Sequence, residues 1–234
     1  MKQYYKIAGL TVEMDSFGRT EDFARPYIVD YAGTPDIKIE SDWAPWKEKN
    51  LSDNTCEYLA SGRSFYSQLL QFDGILIHSS AIVKDGRAYL FSAPCGTGKS
   101  THVSLWRRVF GDDQVRVLND DKPALRLEDG VWYAYGTPWS GKTGQNLNLR
   151  VPLAGIALIE RSEKNTIEAF NGVLAVYQLL GQTIRPADAA ARIQILERLD
   201  QLLSRVPVWK LRCNMDPEAA IVAHKAMSGK ENGL

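Results

Sequence analysis

Hydrophobic and polar positions along the chain form two pairs of strand-like runs, each pair joined by a turn. Residues 74–83 read GILIHSSAIV and residues 88–94 read AYLFSAP, with Asp85 and Gly86 between them. The runs ALRL and VWYAYG turn in the same way at Asp129 and Gly130. Glycine accepts the positive φ of a tight type I′ turn, so both pairs predict β-hairpins.

Apolar residues at helical spacing predict helices over 54–70, 100–110 and 217–227, and two more over 171–205 with a break near Arg185 and Pro186. Further strands are predicted at VPLAGIALIE (151–160) and VPVWKLRC (206–213). We expect three regions: a small β-rich accessory region over 1–50, a main domain over 51–228 and a flexible tail over 229–234.

Composition narrows the class of protein. The 234 residues are 44% hydrophobic, which is sufficient for a core of this size. Lys plus Arg and Asp plus Glu are equal at 28 each, so we expect neither a nucleic acid nor a membrane as partner. Three widely spaced cysteines and the lack of a long apolar run predict a cytoplasmic protein without structural zinc.

The stretch APCGTGKST (93–101) has the spacing of a phosphate-binding loop of the Walker A type, or P-loop. Gly96 and Gly98 let backbone N–H groups face inward at the start of a helix, where an anion binds. Lys99 would reach the phosphates of ATP or another nucleoside phosphate, and Ser100 would ligate Mg²⁺. The predicted nucleotide-binding residues are Cys95, Gly96, Thr97, Gly98, Lys99, Ser100 and Thr101. The alternative is a glycine-rich strand-to-helix turn that binds nothing.

Two aspartates end the apolar run VRVL about twenty residues after the loop. One carboxylate of Asp120 and Asp121 would hold Mg²⁺ and the other would accept a proton from an attacking hydroxyl. The alternative is a simple strand end. His78, in an apolar strand before the loop, is a catalytic candidate, although such a histidine is often a core residue.

The segment GTPWSGKTGQN (136–146) is predicted to be mobile and polar, and to close over a transferred phosphoryl group. Lys142 and Arg150 would then stabilise the developing charge. Alternatively the segment is a hairpin-to-strand connection with solvated charges.

Six motifs follow one another over about residues 74–160: HSSAIV, KDG, RAYLFSAPCGTGKST, LNDDKPAL, GTPWSGK and VPLAGIALIE. Their order resembles that of the HPr kinase/phosphorylase and phosphoenolpyruvate carboxykinase superfamily, in particular of its small stand-alone members. The resemblance implies an α/β fold with a mixed, largely antiparallel β core, a P-loop and flanking helices. It also implies that Asp120 is the general base, Asp121 the metal-side carboxylate and His78 an active-site histidine. Which aspartate has which role stays open.

These expectations favour an ATP- and Mg²⁺-dependent phosphotransferase, a kinase that phosphorylates a hydroxyl of a small molecule or peptide. One alternative is a non-catalytic ATP-binding regulatory or accessory module of a peptide-modification system. A third is carboxykinase chemistry on a keto acid. A homo-oligomer is left open.

Overall fold

The computed structural model describes residues 3–40 and 42–229, and begins with a small three-stranded sheet. Its strands are β1 (Gln3–Ile7), β2 (Leu10–Met14) and β3 (Ile37–Lys38). The first two are antiparallel, and β3 lies parallel to β2. Two short helices, α1 (Gly18–Ala24) and α2 (Ala44–Lys47), complete this part of the chain. All three strands lie within the region that was predicted to be β-rich.

The long helix α3 (Asp53–Leu69) leads into a nine-stranded mixed sheet. Its strands are β4 (Gly74–Leu76), β5 (Ser79–Lys84), β6 (Arg87–Ser92), β7 (Arg116–Asn119), β8 (Ala124–Glu128), β9 (Val131–Tyr135), β10 (Arg150–Arg161), β11 (Thr166–Ala169) and β12 (Val208–Cys213). The long strand β10 pairs with β9 at its start and with β6 and β12 further along. Its pairings with β6 and β12 are parallel and the other pairings are antiparallel, as the predicted fold class requires.

The flanking helices follow the predicted pattern closely. They are α4 (Lys99–Phe110), α5 (Val173–Leu180), α6 (Ala189–Leu203) and α7 (Glu218–Met227). Both hairpin turns have the positive φ angles that were expected, 52° and 70° at Asp85 and Gly86 and 49° and 80° at Asp129 and Gly130. Local sequence therefore determines these elements.

One apolar core joins the small sheet to the large one through α3. Tyr5 and Val12 of the small sheet and Phe65 of α3 share this core with Trp139. Across residues 3–40 and 42–229, no helix has the length and apolar character that a bilayer crossing needs. The predicted tail over 229–234 lies outside the described residues except for Gly229.

Candidate functional site

The glycine-rich loop lies between the end of β6 and the start of α4, as the sequence predicted. Gly96 and Gly98 have φ angles of 78° and 121°, in the left-handed region that favours glycine. A Cβ atom built on either residue would have no neighbour within 4 Å, so the space beside both glycines is open. The N-terminus of a helix is a position at which proteins bind anions.

Lys99 lies across this loop and is almost completely buried. Its ammonium donates hydrogen bonds to the carbonyl oxygens of Ala93, at 2.9 Å, and Pro94, at 3.5 Å. Burial lowers the pKa of Lys99, because the carbonyls are neutral and do not replace lost hydration. Lys99 makes no ion pair within the described part of the chain, so an anion in the loop would compensate its charge.

Arg161, at the end of β10, holds the loop from outside. Its Nε donates to the carbonyl oxygen of Thr97 at 3.0 Å, and its terminal nitrogen donates to that of Gly96. Because a trans peptide directs C=O and the next N–H in opposite directions, the Gly98 N–H faces away from Arg161. Sequence reasoning did not identify Arg161. Its position follows from the parallel pairing of β10 with β6, which brings the carboxyl ends of both strands to one edge of the sheet.

The carboxylate of Asp120 accepts hydrogen bonds from three hydroxyl groups. Ser80 donates at 2.7 Å and Ser100 at 3.0 Å, both to Oδ1, and Thr143 donates at 3.0 Å to Oδ2. Ser100 belongs to the phosphate loop, so the loop and the first aspartate are in direct contact. The sequence had paired Ser100 with Asp121 as the metal ligands, whereas the structure brings Ser100 to Asp120.

Asp121 faces a different set of partners. Its Oδ1 lies 3.0 Å from Nε2 of His78, and its Oδ2 accepts a hydrogen bond from the Tyr58 hydroxyl at 3.2 Å and another from Lys122. Burial by itself raises the pKa of Asp121, but the hydrogen bond with His78 and the charge of Lys122 outweigh it and hold the pKa below its usual range. Asp121 is therefore an ionised carboxylate with a cationic neighbour.

The turn that separates the two aspartates is built by Asn119, which is fully buried. Its side-chain oxygen accepts the backbone N–H groups of Asp121, at 2.9 Å, and Lys122, at 2.7 Å. Its amide nitrogen donates to the carbonyl of Thr137 at 3.0 Å. Asn119 therefore fixes the direction of the acidic pair. Neither Asn119 nor Tyr58 was identified from the sequence, because both act through tertiary contacts.

The segment over 136–146 is only partly the mobile loop that was expected. Residues 136–140 are buried, and Trp139 stacks on Phe65 with ring centroids 4.8 Å apart. The expectation was wrong for this half, because the apolar Trp139 anchors it in the core. Gly141 donates its N–H to the Tyr58 hydroxyl at 2.7 Å. Lys142 follows with an exposed side chain, immediately before Thr143, so its backbone lies beside the acidic pair.

Arg150 does not belong to this site. Its guanidinium forms an ion pair with Glu128, at 3.0 Å, and stacks 3.7 Å above the ring of Tyr133. On β10, Leu158 lies opposite Ser92, the last residue before the loop. Arg150 is thus about 26 Å of strand away from the loop. These contacts do not support the prediction that Arg150 stabilises transferred phosphate, because Glu128 and Tyr133 hold its guanidinium and the opposite end of β10 reaches the loop.

The remaining loop residues lie where the motif places them. Cys95 is exposed with a free thiol, Thr97 is half-buried, and Thr101 is exposed in the first turn of α4. Within residues 3–40 and 42–229, no group of three or more His, Cys, Asp or Glu side chains could hold a metal. Mg²⁺ needs only one or two carboxylates when phosphate oxygens complete its shell. The carboxylate of Asp120 and the hydroxyl of Ser100 are two oxygen donors that could hold such an ion.

Comparisons with known proteins give a family and a distant structural likeness. A solved structure of the Hpr(Ser) kinase/phosphatase from Coxiella burnetii is similar to the chain at 10% identity and a TM-score of 0.36, covering 64% of this chain and 95% of that one. No curated protein matches the sequence. The family model described as SynChlorMet cassette protein ScmC matches residues 49–218, well over half of the chain. The chain therefore belongs to the ScmC family of SynChlorMet cassette proteins.

Proposed function

We propose that the protein is a nucleotide- and Mg²⁺-dependent kinase that phosphorylates a hydroxyl group of a peptide or small molecule. The observation that carries this proposal is the arrangement around the acidic pair. One aspartate touches the serine of the phosphate loop and the other touches His78. A protein that only binds nucleotide needs one carboxylate for its metal, and this site presents a second one in a separate environment.

Asp120 is the better metal-side carboxylate, on charge as well as position. Its hydrogen-bond partners Ser80, Ser100 and Thr143 are neutral hydroxyls, and within the described residues its carboxylate forms no close ion pair. Mg²⁺ prefers such hard oxygen donors and would be held by Asp120 and Ser100 together with phosphate oxygens. Lys99 and the loop amides would hold the phosphates. The bound nucleotide and metal supply the transferable phosphoryl group and neutralise its charge.

Asp121 is the better proton acceptor. Lys122 already compensates its charge, and the contacts with His78 and Lys122 orient its carboxylate. Asp121 takes the proton of the acceptor hydroxyl as that oxygen bonds to the terminal phosphorus and the bond from phosphorus to the leaving diphosphate breaks. A low pKa is compatible with this role, because the proton leaves late in a loose phosphoryl-transfer transition state. Lys142 precedes Thr143, which contacts Asp120, and would stabilise the charge on the transferred group.

The test separates the two aspartates by substitution with asparagine. Asp120→Asn is expected to weaken Mg²⁺-dependent ATP binding by at least about tenfold in calorimetry, because the anionic oxygen donor for the metal is lost. Asp121→Asn is expected to keep ATP binding and lower phosphoryl transfer by about a hundredfold or more. Transfer is measured with γ-labelled ATP and an acceptor pool from cells that encode the protein. Asp113→Asn, on an exposed aspartate outside the site, is the matched control.

Two results would contradict the proposal. If Asp121→Asn transferred phosphate at the wild-type rate, the assignment of the base would be wrong. If wild-type protein bound ATP tightly but labelled nothing in any acceptor pool, the non-catalytic accessory module would be the correct function.

A further inference from the structure

A large groove adjoins the phosphate loop on the side of α5 and α6. We call it the α5–α6 groove. Its walls are the loop residues 92–97, the end of β10 over 158–161, and the connection from α5 to α6. The groove has a volume of about 1350 Å³. That exceeds the roughly 300–1,000 Å³ of typical small-molecule pockets. Its size therefore fits an extended segment of polypeptide.

The groove and its rim expose several large apolar side chains. Leu158, Ile159 and Ile195 line its floor. Tyr177 is 75% exposed and Leu196 is 47% exposed at its edge, and Val173 and Leu174 extend the same surface along α5. A continuous exposed apolar patch marks an interaction site rather than ordinary surface.

The charges of the groove are predominantly positive. Lys210 is neutralised by Glu160, with their charged atoms 2.6 Å apart. Arg192 hydrogen-bonds the carbonyl of Ala187 at 2.7 Å, which leaves its charge in place, and Arg185 is exposed. Since the whole chain has no net charge, this local surplus favours a partner with acidic side chains.

The groove connects directly to the acidic pair. Gln182 lies in the groove wall, and its side-chain oxygen is 3.1 Å from Nδ1 of His78. Its backbone carbonyl accepts a hydrogen bond from the backbone N–H of His78 at 2.7 Å. Ser92, another wall residue, donates to the carbonyl of His78 at 2.8 Å. Asp121 lies on the other side of that imidazole. Only the imidazole of His78 would therefore separate a peptide in the groove from Asp121.

We propose that the α5–α6 groove binds the acceptor as an extended peptide segment with apolar and acidic side chains. The apolar side chains pack on Tyr177 and Leu196, the acidic ones face Arg185 and Arg192, and a hydroxyl-bearing residue lies at the loop end. Only the statement that this hydroxyl accepts phosphate rests on the proposed function. Peptide binding itself does not.

The experiment measures binding of three short fluorescein-labelled peptides by anisotropy, without nucleotide. The first alternates leucine and glutamate around one serine, the second replaces its glutamates with lysine, and the third replaces its leucines with glycine. We expect the first to bind at least about tenfold more tightly than the others. Similar affinity for all three, or no binding of the first, would overturn the proposal.

Variants then locate the binding surface. Leu196→Glu should weaken binding of the leucine–glutamate peptide about tenfold, and Arg185→Glu should shift preference toward the lysine peptide. The matched controls are Ile221→Glu, on an apolar residue of α7 that is 52% exposed, and Arg63→Glu, on the exposed face of α3. If the controls reduced binding as much as the groove variants, the groove would not be the site.

Two other occupants of the groove, a nucleoside and a second copy of the chain, are tested as well. Displacement of the peptide by adenosine would make the groove a nucleoside pocket and overturn the proposal. A wild-type dimer in sedimentation that Leu196→Glu dissociates, together with no peptide binding, would make it a self-association surface and also overturn it. If the peptide binds in the groove and γ-labelled ATP labels neither this peptide nor any acceptor pool, the proposed function fails and the peptide site stands.

Discussion

Glu57→Gln should stabilise the protein above neutral pH, because Glu57 is a carboxyl group buried where α1 meets α3. Its side chain is fully buried, and neither oxygen makes a well-formed hydrogen bond within the described residues. Burial raises the pKa of Glu57 from its usual 4.5 to about 7, although nearby Thr20, Ser61 and Arg19 offset part of the effect. The folded protein therefore keeps this proton over a pH range in which the unfolded chain has released it.

The sign and size of the effect follow from that difference in pKa. Stability from Glu57 is fully present below the unfolded pKa of 4.5 and is lost as pH rises through the folded pKa of about 7. At 1.36 kcal/mol per unit, the loss in the free energy of unfolding is about 3 kcal/mol at higher pH. Glutamine has the same shape without the ionisation, so Glu57→Gln should gain up to about 3 kcal/mol near pH 8, or roughly 6–12 °C in Tm.

The assay is thermal unfolding of both proteins at about pH 5 and about pH 8, with Glu197→Gln, an exposed glutamate on α6, as the control. The variant and the wild type should have similar Tm values at the lower pH and diverge at the higher one. If Glu57→Gln were less stable than the wild type near pH 8, or if both lost stability in parallel, the burial argument would be refuted.

Two further predictions concern the arginines at the two ends of β10. Arg161→Ala should weaken ATP binding about tenfold in calorimetry, because charge-assisted hydrogen bonds to the loop carbonyls are worth on the order of 1.5–3 kcal/mol and this guanidinium is partly solvated. Unchanged affinity would show that the loop keeps its shape without Arg161. Arg150→Ala should leave ATP binding and phosphoryl transfer unchanged and cost less than about 1 kcal/mol of stability, because its partners are Glu128 and Tyr133. Loss of transfer in this variant would restore Arg150 to the site.

Local patterns predicted the elements of the fold well. Each hairpin turn has an Asp-Gly pair whose φ angles are set by the residues themselves. The glycine-rich loop lies between strand and helix because its own spacing demands it. Signals of this kind lie within a few residues of the feature they specify, so one sequence is enough to find them.

The site depended more on contacts that the sequence does not display. Tyr58 reaches Asp121 from α3, and Arg161 reaches the loop from the far end of β10. Choosing between Arg150 and Arg161 required the pairing direction of β10 and β6, which an apolar run does not reveal. The sequence predicted two separate roles for Asp120 and Asp121, one as metal ligand and one as proton acceptor. Which one faced the phosphate loop was set by Asn119 and Ser100 in three dimensions.

Helix α3 links the small N-terminal sheet to the chemistry of the acidic pair. Phe65 packs against Trp139 in the core that also contains residues of the small sheet, so this core holds the segment over 136–140 in place. Tyr58 lies about two helical turns before Phe65 on α3. Its hydroxyl hydrogen-bonds both the carboxylate of Asp121 and the N–H of Gly141. Residues 141–144 follow this anchored segment, with Gly141 and Gly144 at positive φ on either side of Lys142. A change in how α3 packs on the small sheet would therefore alter both the position of Asp121 and the start of the segment that carries Lys142 and Thr143.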